Sequence, residues 1–380
     1  MDYDVIIAGG SFAGLAAAAQ LRGKRVLLIE PHSIGSIQTS ACGTLLAVLE
    51  ATGTGDSLIQ VHDRILLHLD RRTIEFELDY PFCTFDFHTF ASRMLEFSDA
   101  EIMRAAVLGH RGHMVLTTRG TFDAGILIDA SGWRAALATG HLTKTDRAQG
   151  LSFGLESVVP AAEQGLHFYY HPKQLGMANV GWLFPIDGTS RAGVASYHGR
   201  TQLNRLLSEF LLTSFGQPVG SRHGGYIPLR SKPATTGHVF RVGDAAGQCF
   251  PLTAEGIRPA LYFGAAVGRL ARRVLAGEMG ESEALREYQA FVNRHQPLYR
   301  LLRAMQVGLP RLPLSWIAAL ARQVRRPVGF SAILNVYWRA ADPRSLTVNS
   351  DPSTLSVDPG TVHIDHAHLP ESMAQRSESR

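Results

Sequence analysis

Val5-Ile6-Ile7-Ala8 is a short, unbroken apolar run, and a run of this length bounded by turn residues predicts a fully buried strand. Gly9-Gly10-Ser11 predicts a tight turn after it. From Phe12 to Leu21 alanine and leucine dominate, which predicts a helix. Arg25 to Glu30 returns to a buried-strand pattern, so strand, helix and strand follow one another within about 30 residues, the order of a βαβ unit.

Further on, Ile65 to Leu78 alternates like strand, and Phe90 to Phe97 has the pattern of a short helix. Val107–Thr118 and Thr121–Asp129 predict a hairpin that feeds back into a parallel strand. Residues 151–200 are rich in aromatic, glycine and β-branched residues, consistent with a second sheet. Val239 to Val242 predicts a strand that ends at Gly243-Asp244. A long helix is expected from Gly256 to Ala276, with helical structure continuing to Ala340. Residues 345–380 are rich in Ser, Asp, Pro and His without periodicity and are expected to form a disordered tail. No internal repeat is evident.

The chain of 380 residues is long enough for two or three substructures, and its 45% hydrophobic and 18% charged residues are ordinary for a globular enzyme. A net charge of +4 does not call for nucleic acid, and none is expected as a partner. Cys42, Cys83 and Cys249 form no CxxC pair and no disulfide framework, so a reducing interior is expected. Met1-Asp2-Tyr3-Asp4 leads into the first strand without a basic segment, so no signal peptide is expected. No apolar stretch reaches about 18 residues, the length read as a membrane span. The expected location is the cytoplasm, with peripheral contact at the inner face of the membrane as the variant considered below.

Gly9-Gly10-Ser11-Phe12-Ala13-Gly14 is in register with a GxGxxG fingerprint, with Ser11 at the middle glycine. Gly9 permits the sharp turn, a small residue at 11 lets a pyrophosphate approach the backbone, and Gly14 lets helix and strand pack closely. Ala13 and Gly10 complete the candidate cradle, and the helix start offers free N–H groups to phosphate. Glu30 closes the second strand at the distance where an acid accepts ribose hydroxyls. This pattern alone does not separate NAD from FAD. A second segment points to FAD: Arg241-Val242-Gly243-Asp244-Ala245-Ala246-Gly247, followed by Pro251-Leu252-Thr253-Ala254-Glu255-Gly256-Ile257. A strand ending in Gly243-Asp244 presents a carboxylate to a ribityl hydroxyl. The helix opened by Gly256 and Ile257 can face the flavin edge that gains negative charge on reduction. The alternative reading of Asp244 is a helix N-cap. Leu127-Ile128-Asp129-Ala130-Ser131-Gly132 resembles the strand-turn that returns the chain to the nucleotide domain.

Together these segments resemble the FAD-dependent oxidoreductases with the para-hydroxybenzoate-hydroxylase-like fold, and within them the geranylgeranyl reductase family. The resemblance spans roughly residues 4–275. It implies an α/β fold: a Rossmann-like FAD-binding domain, an inserted β-sheet substrate domain and a C-terminal helical region. The expected boundaries are 1–150 with 236–275 for the FAD-binding domain (which includes part of the substrate region near 62–98), 151–235 for the substrate domain, and 276–340 for the helical region. The family's Y-x-W-x-F-P motif appears as Val180-Gly181-Trp182-Leu183-Phe184-Pro185, with valine replacing tyrosine. The resemblance makes Trp182, Phe184 and Pro185 candidate walls of the substrate pocket; the alternative for Trp182 is an ordinary core residue. It also places Cys42 where a cysteine near the flavin donates or shuttles a proton, the alternative being a merely buried thiol. Where the family commonly has an arginine, this chain has Phe87 or His88.

The implied reaction is reduction of carbon–carbon double bonds in an isoprenoid or other apolar lipid, with hydride from flavin N5. No second glycine fingerprint is present for a nicotinamide domain, so NAD(P)H binds transiently or a carrier protein supplies electrons. An FAD-dependent aromatic monooxygenase and a non-catalytic FAD-binding scaffold are the alternatives. A halogenase ranks below them, because no lysine occurs between Lys24 and Lys144, where one would be needed. Arg300, Arg303, Arg311, Arg322, Arg325, Arg326 and Arg339 alternate with apolar residues, Trp316 and Trp338 among them. That pattern suits an anionic membrane surface or, equally, a helical cap with a solvated arginine face. His363, His366 and His368 lie in the polar tail, and no metal site is expected.

Overall fold

The computed structural model describes residues 1–138, 150–176, 178–197, 199–324 and 337–346. The predicted tail lies outside the described residues apart from its first two positions. Those two belong to the turn Pro343–Leu346, where the Ser345 carbonyl accepts a hydrogen bond from Arg269 at 3.0 Å.

Two eight-stranded sheets organise the molecule. In the first, the strands Val239–Arg241, Gly120–Asp129, Tyr3–Ala8, Val26–Glu30 and Glu101–Arg104 lie side by side and parallel. Parallel strands are covered on both faces, which explains why Val5 to Ala8 and Val26 to Ile29 are apolar without alternation. One face packs the cluster of Ile6, Ala8, Leu27, Leu127 and Val115, the last from the hairpin Val107–Arg111/Met114–Thr117. On the other face, the helices Phe12–Ala19 and Ile257–Leu275 lie in backbone contact. A Cβ on Gly264 would stand 2.4 Å from the Ala13 carbonyl oxygen, and one on Gly268 2.5 Å from that of Ala17. Glycines four apart share a helix face, so no side chain separates the two backbones along this seam.

The second sheet has the order Arg222–Pro228, Leu151–Val159, Thr189–Ser196, Asn179–Ile186, Leu166–Tyr170, Leu58–Leu69, Arg72–Phe85 and Gly43–Leu45. Three of its strands therefore come from residues 43–85, well before the block at 151–228. The two blocks join where Leu166–Tyr170 pairs in parallel with Ile65–Leu69. The helix Phe87–Glu96, capped by Asp86, then leads the chain back to the first sheet. One face of the second sheet is closed by the helix Asn204–Phe215, through Leu207, Phe210 and Leu211 against Leu155, Leu183 and Val194.

Two further helices, Glu281–Gly308 and Leu314–Val324, follow. The second packs Ile317, Ala318 and Ala321 on Leu69, Ile74 and Phe76 of the long hairpin. Among the described residues no helix is long and apolar enough to cross a membrane.

Candidate active site

The first glycine turn is shaped by steric necessity. Gly9 has φ +106, and a Cβ there would fall 2.2 Å from the Ala130 carbonyl oxygen. A Cβ on Gly14 would fall 1.9 Å from the Gly9 carbonyl oxygen, so only glycine lets the helix begin this close to the strand. Ser11 is the N-cap of that helix, and its side chain makes no capping bond. Glu30 braces the turn: its carboxylate accepts the Gly10 N–H at 2.9 Å and the His32 N–H at 3.2 Å.

The second turn sits against the first. Gly243 has φ +63, and a Cβ on it would lie 3.1 Å from that of Ala13. Asp244 follows in a short 3-10 turn, Gly243–Ala246, and its carboxylate accepts no hydrogen bond from the described residues. Burial pushes its pKa up to about 6, against the opposing pull of Lys232. The N-cap of the next helix is Gly256, twelve residues on, so Asp244 is not the helix cap weighed from the sequence. The carboxylate instead faces that helix start, with Oδ1 3.9 Å from where a Gly256 Cβ would stand. Pro251 opens the intervening loop, and Ile257 is buried as the first residue of the helix. Leu252 and Ala254 in this loop have φ +68 and +53, the left-handed region that favours glycine.

The helix Glu281–Gly308 supports this loop from behind. The Gly243 N–H donates to Gln248 at 2.7 Å, the Gln248 amide donates to the Tyr288 hydroxyl at 3.1 Å, and Tyr299 donates to the Gln248 carbonyl at 2.6 Å. Glu255 accepts two bonds from one edge of the Arg258 guanidinium, Nε at 2.7 Å and Nη2 at 3.0 Å. Arg258 is fully buried among the Phe250, Tyr337 and Trp338 rings, where it also donates to the Ala341 carbonyl.

The second sheet turns its open face toward the loop that follows Glu30. Side chains alternate across a strand, and Asn179–Ile186 alternates between buried and half-buried positions. Trp182 and Phe184 are the half-buried ones on this face. Pro185 is buried and directed to the opposite face. Its carbonyl accepts a hydrogen bond from Thr84, so it fixes the strand rather than lining this surface. Phe184 reaches the loop, with ring atoms 3.0 Å from the Cβ position of Gly43.

Cys42, next to Gly43, is buried with φ +50. Burial pushes its thiol up to about 12, outweighing the lowering by Arg191 and Ser40, so it keeps its proton at neutral pH. Arg191 is buried beside it and donates to the carbonyls of Ala41 at 2.8 Å and Phe85 at 3.3 Å.

Sequence reading missed a buried polar group on the same face. Glu156, 2% exposed, accepts the Trp182 indole N–H at 2.9 Å and lies 2.5 Å from His223 Nε2, which is 3.2 Å from Gln38. Asp129 was seen only as part of a strand-turn. It is buried, and it accepts the backbone N–H groups of Ser131, Leu137 and Ala138, fixing the turn beside Gly9. His88 stands near the family's arginine position and packs against Gly35 in the loop after Glu30.

No protein-family model matches the chain. A digeranylgeranylglycerophospholipid reductase of Methanosphaera stadtmanae is 32% identical over 147 residues, 38% of this chain and 34% of that protein. The chain is similar to geranylgeranyl reductases. It spans about a third of the length of the curated relatives it matches. The solved structure of a geranylgeranyl bacteriochlorophyll reductase-like protein from Thermoplasma acidophilum superposes with a TM-score of 0.73 at 18% identity, covering 90% of this chain and 97% of that one. A flavin-dependent brominase superposes with a TM-score of 0.69 at 15% identity, covering 91% and 94%. These likenesses establish the fold, a Rossmann-like α/β domain joined to a second sheet and a C-terminal helical region.

Proposed function

We propose that this chain is an FAD-dependent oxidoreductase that reduces carbon–carbon double bonds of an isoprenoid or similar apolar lipid. One observation carries the cofactor assignment: the two glycine turns meet at Ala13 and Gly243, with the Asp244 carboxylate, opposed by Lys232, beside the start of the Gly256 helix. A dinucleotide needs these features in combination: close backbone approach at one end, and a carboxylate with free acceptor capacity toward a polyol at the other. The residues present therefore fit FAD. Gly9, Gly10, Ser11, Ala13 and Gly14 would hold its pyrophosphate. Glu30 would hold its adenosine ribose, and Gly243, Asp244, Pro251, Gly256 and Ile257 its ribityl and flavin portions. Bound there, FAD supplies hydride chemistry at N5.

The protein's own part is to position and protonate. Trp182 and Phe184 present aromatic surface to an alkene. Cys42 holds a proton on a neutral thiol beside them. The similarity to a digeranylgeranylglycerophospholipid reductase supports a polyprenyl substrate. The electron donor is NAD(P)H or a carrier protein, and the rate of flavin bleaching by each separates the two.

A lipid substrate accords with the outer surface of the C-terminal helices. On the last helix Trp316 and Leu320 are exposed four residues apart, Trp316 to 66% of its area, with exposed Leu312 just before the helix and Arg311 and Arg322 flanking them. We assign this stripe to contact with an anionic membrane. Arg325 and Arg326 lie outside the described residues. Trp316→Asp is expected to abolish flotation with anionic vesicles, and equal flotation of the variant would remove the assignment.

The first test is the absorbance of the purified full chain, which should be that of a flavin. Dithionite-reduced enzyme given polyprenyl lipids without oxygen should then yield product carrying two added hydrogens. An oxygen-dependent hydroxylated product would replace this reading with the monooxygenase. A colourless chain that refuses FAD would end both.

A further inference from the structure

At the far end of the first sheet, three side chains from three separate elements converge. His113 follows Gly112 in the two-residue turn between the strands Val107–Arg111 and Met114–Thr117. His238 follows Gly237 in the two-residue turn between Thr235–Thr236 and Val239–Arg241. Glu281 follows Gly280 and opens the helix Glu281–Gly308. Gly112 and Gly237 have φ +59 and +56, so each histidine sits on a tight turn that only glycine readily makes. None of the three side chains is placed by a long loop.

We propose that His113, His238 and Glu281 bind one divalent transition-metal ion, zinc by the chemistry of the donors. One donor atom from each lies within 4.8 Å of the other two. Glu281 Oε2 is 3.4 Å from His238 Nδ1 and 3.7 Å from His113 Nε2. Metal–ligand bonds of about 2.0–2.1 Å in a tetrahedron require donor separations of roughly 3.3–3.4 Å. Two of the three edges are thus close to the required length, and small rotations of the rings close the third. Two imidazoles and one carboxylate select zinc and its neighbours over magnesium or calcium, which prefer all-oxygen sites. The fourth position is left for water.

A second observation points the same way. Glu281 Oε1, on the same carboxylate as the donor Oε2, is buried and has no hydrogen-bond partner among the described residues. Folded proteins rarely leave such atoms unsatisfied without an ion or water to serve them. The alternative occupant is a proton, giving a simple histidine–glutamate ion pair.

The site lies away from the glycine cradles. His238 precedes the strand whose other end leads to Asp244, and the His113 carbonyl pairs with Ala124 near the start of the strand that ends at Asp129. A metal here would act as a staple. It would fasten the helix that carries Tyr288 and Tyr299 to the sheet whose strand leads into Asp244.

The test is calorimetric titration of chelator-stripped, full-length protein with Zn2+ in a non-coordinating buffer. His363, His366 and His368 are replaced by alanine in the background used, so that the tail contributes no imidazole. One equivalent should bind. His238→Ala and Glu281→Gln should each weaken it at least about tenfold, while His110→Ala, in the same hairpin as His113, leaves it unchanged. Zinc should also raise the melting temperature of the parent and not that of His238→Ala, with the metal-free melts of the two alike. Absence of stoichiometric binding in the tail-substituted parent, or equal affinity in His238→Ala and Glu281→Gln, would overturn the proposal.

Discussion

Trp182 donates its indole N–H to Glu156 by passing over Gly193, which lies directly across from both residues on the strand between them. A Cβ at Gly193 would fall 2.2 Å from the indole ring. The absent side chain is what allows an aromatic surface and a buried carboxylate to share one sheet face. Trp182→Phe removes the donor and should cost about 1–3 kcal/mol in urea unfolding, the usual penalty for a buried acceptor left unpaired. Gly193→Ala should cost a similar amount, about 1–3 kcal/mol, by displacing the ring. Unchanged midpoints in both variants would show that the contact is not formed in solution.

The Gly14 position tests the first cradle. Gly14→Ala places a methyl 1.9 Å from the Gly9 carbonyl oxygen and must open the turn. The variant should retain less than about a tenth of the parent's bound flavin after purification. Gly55→Ala, where a Cβ meets nothing within 4 Å, should keep its full complement. Equal flavin content in the two variants would separate the cofactor from this turn.

Ala254 holds φ +53, the left-handed conformation that favours glycine. The conformation costs an alanine roughly 1–2 kcal/mol, and glycine gives back about 0.4–1 kcal/mol through its looser unfolded state. Ala254→Gly should therefore stabilise the protein by about 0.5–1 kcal/mol in denaturant unfolding. A loss of stability would mean that the methyl packs usefully where it is.

Asp244 should give the cofactor-free protein a distinctive pH dependence. Its folded pKa, about 6, lies above the ordinary 3.8, so the fold prefers the protonated acid. That contribution is complete below pH 3.8 and is lost as pH rises through 6. At pH 7.5 the charged group costs up to about 3 kcal/mol. Asp244→Asn lacks the titration, so its melting temperature should gain on the parent's between pH 4 and 7.5. Parallel curves would mean that the carboxylate is solvated. Bound FAD should flatten the parent's curve, because hydroxyl donors favour the ionised form.

The parts of the site that could be read from the chain are contiguous in it. Gly9 to Gly14 and Gly243 to Ile257 each build a cradle from neighbouring residues, so spacing alone reveals them. Glu156 and His223 meet through sheet register across 67 residues, with Arg191 on the next strand, and no local pattern marks them. The motif Val180 to Pro185 marked candidate pocket walls but not what they oppose. Pro185 was assigned with its motif neighbours, although the strand's alternation turns it away. The entry of residues 43–85 into the second sheet was only partly visible, because the parallel pairing of Leu166–Tyr170 with Ile65–Leu69 is a long-range event. The His113, His238 and Glu281 cluster left no trace in sequence spacing, since its members come from two distant turns and a helix start.

The seam between Gly264 and Ala13 also fixes a length. Because Gly264 meets Ala13 and Gly268 meets Ala17, the two helices run in the same direction at a locked offset. At 1.5 Å per residue, the helix beginning at Ile257 starts about 9 Å beyond the one beginning at Phe12. If FAD binds as proposed, hard contact between main chains would gauge the span from its phosphates to its ring system. Deleting one residue between Ile257 and Gly264 would shorten that gauge by about 1.5 Å and swing the helix start by roughly 100°.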